Sequence, residues 1–294
     1  MKKFLCVFAL VAIMCLFSST LQAYAGTKKV IAFGDSLTYG YGVDGNSYAK
    51  IYADDKGYSL TNYAEIGMDS TGLLEFLQTE NVDCSQADEI ILWIGANDLL
   101  HALYAYADDK GIDYKNIKNE NVENIKNQLN STEFTAKMNE TIKTFGENLA
   151  GILSAIKAKG GGRIYLFTQY NPYDGIVVGG INVGAISEKW IKKLNNVIAE
   201  QEGVIIVDAS FAVKSSQEKC VNAEVDLNYG KIETDPHLTA EGHRVVSEYF
   251  SEVVAKADKE AEKTDASTGD NGENGNNSLF GGGGCGGRGS GSSR

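Results

Sequence analysis

Five short runs of apolar residues, each followed by a polar or glycine-rich turn and then by an amphipathic segment, constrain the fold more than any other feature of this chain. The runs fall at 29–34, 59–64, 89–94, 163–168 and 204–208. Four of them are almost unbroken in apolar character ("KVIAFG", "EIILWI", "RIYLFT", "VIIVD"), as expected of parallel strands covered on both faces. The second, "SLTNYA", is the weakest of the five. Between and after them lie segments of helical period at 47–56, 71–80, 132–158, 184–201 and 239–260; in the last, Val245, Val246, Tyr249, Phe250 and Val253 share one face. Strand–helix alternation of this kind predicts an α/β domain of three layers around a mostly parallel five-stranded sheet. Such sheets bind ligands at the carboxyl ends of their strands.

Those ends are where the chain is chemically unusual. The first strand breaks into Gly34-Asp35-Ser36, the second runs into "EIGMDSTG" and the third into "GANDLL". The fourth is followed by "QYNPYDG" and the fifth by a long loop holding "TDPHLTAEGH". Any one of these is an ordinary βα turn, with Asp35 or Ser36 capping the next helix. All five together predict a shared cleft.

Three histidines are present, at positions 101, 237 and 243. A serine nucleophile needs a base that titrates near neutrality and a third group to orient it. Asp235 stands two residues before His237, and in extended chain two such side chains face the same way. Pro236 between them biases Asp235 towards that geometry. Asp235 is therefore the first candidate to orient the ring, and Glu233 the second. His243, on the final helical segment, reads as a packed or capping residue, and His101 as structural or at a rim. Donors for an oxyanion are available from the Ser36 N–H, from Gly67, whose backbone a ligand can approach closely, and from the side-chain amide of Asn97. Asp98 reads as a helix cap. Residues 101–131 read as a polar insertion, more decoration than lid.

"FGDSLTYG" at 33–40, Gly67 in "NYAEIGMDSTGLL", "GAND" at 95–98 and "DPHLTAEGH" at 235–243 resemble, in order and spacing, the four blocks of the SGNH hydrolases, also called GDSL esterases and lipases. The resemblance implies a flavodoxin-like doubly wound fold. It implies Ser36 as nucleophile, His237 as base and Gly67 and Asn97 as oxyanion donors, with neither metal nor organic cofactor. The family commonly has Asp-x-x-His-Pro; here Thr234 stands three before the histidine and Leu238 follows it, and Asp235 takes the orienting role. The implied activity is serine esterase chemistry, with a small-molecule or polysaccharide-linked ester as the partner. Export, acidity and Tyr104, Tyr106 and Tyr114 favour a short-acyl carbohydrate ester over a long-chain lipid. A lipase or acyltransferase using the same residues, or a non-catalytic surface-binding protein on the same scaffold, are the alternatives.

Composition places the chain. Lys2 and Lys3, the apolar run at 4–17 and the small residues Ala23 and Ala25 form the pattern of a secretory signal, with cleavage expected after Ala25. The run is shorter than the roughly 20 residues of a membrane span, and Met14 before Cys15 does not suit lipid attachment. The formal net charge is −12, more negative once Lys2 and Lys3 are removed, and it argues against nucleic-acid or anionic-lipid partners. Residues 26–261 are expected to form one domain in a secreted or extracytoplasmic protein. The Gly-, Asn- and Ser-rich residues 262–294 form a disordered tail with too little to bury. Of five cysteines, Cys84, Cys220 and Cys285 lie outside the leader. A Cys84–Cys220 bridge is disfavoured, because the two are placed at opposite ends of the sheet.

Overall fold

The computed structural model describes residues 27–112, 122–226 and 231–269. The leader and most of the tail lie outside the described residues. Two compact units divide the chain between Val254 and Ala255.

The first unit is built on five parallel strands: β1 (Lys29–Gly34), β2 (Ser59–Asn62), β3 (Glu89–Trp93), β4 (Arg163–Phe167) and, after the two-residue strands β5 (Val177–Val178) and β6 (Ile181–Asn182), β7 (Ile205–Val207). Their order is β2-β1-β3-β4-β7, the flavodoxin-like doubly wound arrangement. Every pairing in it is parallel, with Ile31 opposite Ile90 and Leu92 opposite Leu166. Alternate residues of each strand feed two separate cores. Ile31, Phe33, Ile90, Leu92, Ile164 and Leu166 enter one, and Val30, Ala32, Ile91, Trp93, Tyr165 and Phe167 enter the other. This doubled burial is why the strands read as continuous apolar runs. β2, at the edge, is mostly exposed, hence its faint signal.

The helices are α1 (Ser36–Tyr39), α2 (Tyr48–Lys56), α3 (Ser70–Thr79), α4 (Ala96–Asp109), α5 (Val122–Leu129), α6 (Thr132–Ala158), α7 (Val183–Ala199), α8 (Ala209–Ser215) and α9 (Ala240–Gly269). Residues of α3, α4, α6 and α7 pack on the first core, and residues of α2, α8 and α9 on the second. A polar hairpin, β8 (Glu224–Asp226) with β9 (Lys231–Glu233), precedes α9.

Two expectations are corrected. Residues 101–109 are not an insertion but the body of α4, and Leu99, Ala102, Tyr106 and Ala107 are buried on its inner face. The last helix runs beyond position 261, to Gly269. Cys84 and Cys220 are both buried and free; Cys285 lies outside the described residues.

Candidate active site

Ser36 is the first residue of α1, immediately beyond β1. Asp35 caps that helix, its Oδ1 accepting the Leu37 N–H at 3.0 Å. The turn thus does both things its sequence allows: the aspartate closes the helix and the serine stands at the strand end. Asp35 is 1% exposed. Burial pushes its carboxyl up to about 7 against the pull of the Leu37 N–H, with a further push from Asp98.

The partner of Ser36 comes from the other end of the chain. His237 Nε2 lies 2.9 Å from Ser36 Oγ, and His237 Nδ1 lies 2.5 Å from Asp235 Oδ1. Asp235 Oδ1 also accepts the His237 backbone N–H at 3.1 Å, and its Oδ2 accepts from Asn222 at 3.2 Å. The acid and the ring are therefore brought together by an Asx turn around Pro236, not by a simple extended strand. Loop and sheet are tied at several points. The Tyr170 hydroxyl donates to Pro236 O at 2.6 Å, Tyr173 to Thr234 O at 3.2 Å, and the Asn222 N–H to His237 O at 2.9 Å. The Tyr41 ring packs on His237 with centroids 4.6 Å apart. Glu233, the second candidate for the orienting acid, ends β9.

Gly67 sits in a turn closed by Met68 N–H to Glu65 O, with φ at +81°. That backbone suits the third residue of a type II turn and disfavours any residue with a Cβ. The Asn97 amide donates to Met68 O at 2.9 Å, which places it beside the Met68–Asp69 peptide, one residue beyond Gly67, with one N–H still unused. Asn97 belongs to the first turn of α4, whose cap is Gly95 at φ +125°. A Cβ at Gly95 would stand 2.7 Å from the Phe145 ring.

Asp98 does not cap its own helix, contrary to expectation. It accepts the Ser70 N–H at 3.0 Å and the Ser70 hydroxyl at 2.5 Å, at the start of α3. Burial raises its carboxyl to about 6, with Asp69 adding to the effect and Ser70 opposing it. His101 Nδ1 lies 3.0 Å from Asp69 Oδ2. Asn97, Asp98 and His101 thus fasten the Gly67 loop to α4 at three successive points. Sequence reading missed this clasp, because Asn-Asp at a helix start looks like an ordinary cap. His243 is buried on α9, where its Nδ1 accepts the Tyr48 N–H at 3.2 Å. Burial, then the charge of His237, pulls its pKa down to about 4.

A cavity of about 320 Å³ opens from Ser36, Asn97 and His237. Leu100 and Leu103 of α4, Phe134 and Met138 of α6, and Ile186 and Trp190 of α7 form its walls. Gly67 is not among its lining residues. Among the described residues, no group of three or more His, Cys, Asp or Glu side chains converges as metal ligands. No helix among them is long and apolar enough to cross a membrane.

A strand-end serine hydrogen-bonded to histidine and carboxylate, on a doubly wound sheet, defines the class as a serine-type α/β hydrolytic fold. The model of the GDSL-like lipase/acylhydrolase family matches residues 32–245, and the chain belongs to that family of hydrolases. Two solved structures share the fold. The lipase Lip_vut3 from a goat rumen metagenome is 20% identical, with a TM-score of 0.54 over 77% of this chain and 97% of that one. Axe2, an acetylxylan esterase from Geobacillus stearothermophilus, is 15% identical, with a TM-score of 0.50 over 77% of this chain and 94% of that one. No curated protein matches the chain.

Proposed function

We propose that this chain is an exported serine esterase working through an acyl-enzyme. The observation that carries the reading is the unbroken line of hydrogen-bond contacts from Ser36 Oγ through His237 to Asp235. With Asp235 accepting the proton of Nδ1, the ring presents Nε2 as an acceptor to the serine hydroxyl. Ser36 attacks the ester carbonyl as His237 takes its proton, and Asp235 stabilises the imidazolium. The tetrahedral oxyanion is held by the N–H groups of Ser36 and Gly67 and the free N–H of Asn97. His237 then protonates the departing alcohol. Water, activated by the same imidazole, releases the acid and restores the serine.

Export is read from the leader at 1–25. The protein isolated from its own cell is expected to begin at Gly26; an N-terminus at Met1 overturns this part. Two of the three tyrosines that favoured a carbohydrate ester lend it no support. Tyr106 is buried, with its hydroxyl on Gln128 and Ser131, and Tyr114 lies outside the described residues. Tyr104 lines the cavity.

The test is covalent. A fluorescent alkyl phosphonate should label the wild-type protein and leave Ser36→Ala unlabelled. A folded wild type that resists labelling favours the non-catalytic alternative.

A further inference from the structure

The cavity beside Ser36 is larger and more apolar than an acetyl group requires. Three helices supply its walls, through Leu100, Leu103, Phe134, Met138, Ile186 and Trp190. Its only ionisable carboxylate and imidazole, Asp35 and His237, stand at the Ser36 end. The polar groups on its other lining elements are the hydroxyls of Tyr104, Tyr170, Tyr173 and Ser187 and the amide of Gln169; the Tyr170 hydroxyl is spent on Pro236 O, and the Gln169 amide on Trp93 Nε1–H and Ile94 O. Among the described residues, no lysine or arginine lines it. A space of about 320 Å³ has room for on the order of ten water-sized groups at the roughly 30 Å³ each takes up in the liquid, and a methylene is of similar size. A lone methyl would leave most of that apolar surface without contacts, forfeiting dispersion and burial.

Resting on Ser36 as the acyl-bearing nucleophile, we propose that this cavity is an acyl pocket selecting uncharged, medium-length acyl groups of about six to ten carbons. The direction follows from the site. The departing alcohol must lie against His237 Nε2, which protonates it. His237 is flanked by Tyr41, itself 45% exposed, so the alcohol side faces solvent. The acyl chain takes the remaining route, past Asn97 between α4 and α7. Leu100 and Leu103, three and six residues along α4 from Asn97 and so just under one turn and well over one turn away, set the width of that route.

The experiment uses the full chain and 4-nitrophenyl esters from acetyl to palmitoyl, so that the leaving group is constant. kcat/KM should rise by roughly fourfold per methylene from acetyl towards octanoyl, exceed the acetyl value by about a thousandfold or more over the six added methylenes, and fall at palmitoyl. A hemisuccinyl ester, with its anionic acyl end, should be hydrolysed no better than acetyl. Leu103→Trp should lower the octanoyl-to-acetyl ratio at least tenfold. Leu100→Trp reads the same wall should Leu103→Trp not fold, with Tm as the check. A flat profile, or one led by acetyl, with all hydrolysis lost in Ser36→Ala, overturns the acyl pocket and leaves the esterase reading standing. Rates that climb with alcohol length across a series of acetate esters, and not with acyl length, assign the cavity to the alcohol and also overturn it. A folded protein that hydrolyses none of these esters and resists phosphonate labelling overturns both readings.

Discussion

At the scale of single residues, the site divides into groups that handle protons and groups that receive charge, and the two make different predictions. Asn97 spends one N–H on Met68 O and has one left, which the proposed mechanism assigns to the oxyanion. Asn97→Ala should lower kcat by roughly 10²- to 10³-fold with KM nearly unchanged in steady-state assays. A loss under threefold would remove it from the oxyanion hole. Asp235→Asn replaces an acceptor at His237 Nδ1 by an amide that can donate. This favours the tautomer with its proton on Nε2, facing the serine. Its kcat should fall by roughly 10³-fold or more, and labelling by the phosphonate should slow in parallel. An effect smaller than that of Glu233→Gln would move the orienting role to Glu233. Ser36 and His237, which the structure brings into contact, could be singled out in the sequence because their blocks are local. The clasp of Asp98 on Ser70 and His101 on Asp69 joins residues 28 and 32 apart, and no local pattern announces such a pairing.

At the scale of elements, β1, β3 and β4 were legible because each is buried on both faces and so reads as an uninterrupted apolar run; β2, exposed at the edge, gave only a faint signal. α4 was not legible. It begins at Gly95 with no side-chain cap, so the usual signature of Ser, Thr, Asp or Asn before an apolar period is missing. Its second half, rich in Tyr, Ala and Asp, passed for surface decoration. α8 is only seven residues long, and the β8–β9 hairpin is polar; both fall below what periodicity can detect. The same Gly95 makes α4 vulnerable. Gly95→Ala imposes a side chain at φ +125° and drives a Cβ into Phe145. It should cost ~2 kcal/mol or more in urea unfolding and reduce kcat by shifting Asn97. Full stability in the variant would show that the turn relaxes freely.

For the first unit as a whole, three buried titratable groups act on stability in opposite senses. The carboxyls of Asp35 and Asp98 are raised to about 7 and about 6. Each binds its proton more tightly folded than unfolded, so its contribution is full below about 4 and is lost as pH rises through those values. His243 is lowered to about 4. It stays neutral when folded, so its contribution is present above about 6.5 and is lost as pH falls towards 4. Between pH 4 and 6.5 the two trends oppose each other, and His243 offsets only part of what the two carboxyls lose. His243→Asn keeps an acceptor for the Tyr48 N–H and removes the titration. The stability gap between wild type and variant should therefore widen by on the order of 3 kcal/mol from pH 4 to pH 7, as read by urea denaturation across that range. A gap independent of pH would show that His243 does not titrate between the two states.

Ser36 and His237 lie 201 positions apart along the chain, and nearly every strand and helix of the sheet is threaded between them. A polypeptide halted by a premature stop or cleaved in the loop before Asp235 keeps its serine but has no imidazole to arm it. On the proposed mechanism, hydrolytic competence is thus conferred last, after the parallel strands have found their non-adjacent neighbours, a slow process for a topology of this kind. A chain that stops short of His237 therefore lacks the contact on which the proposed chemistry rests.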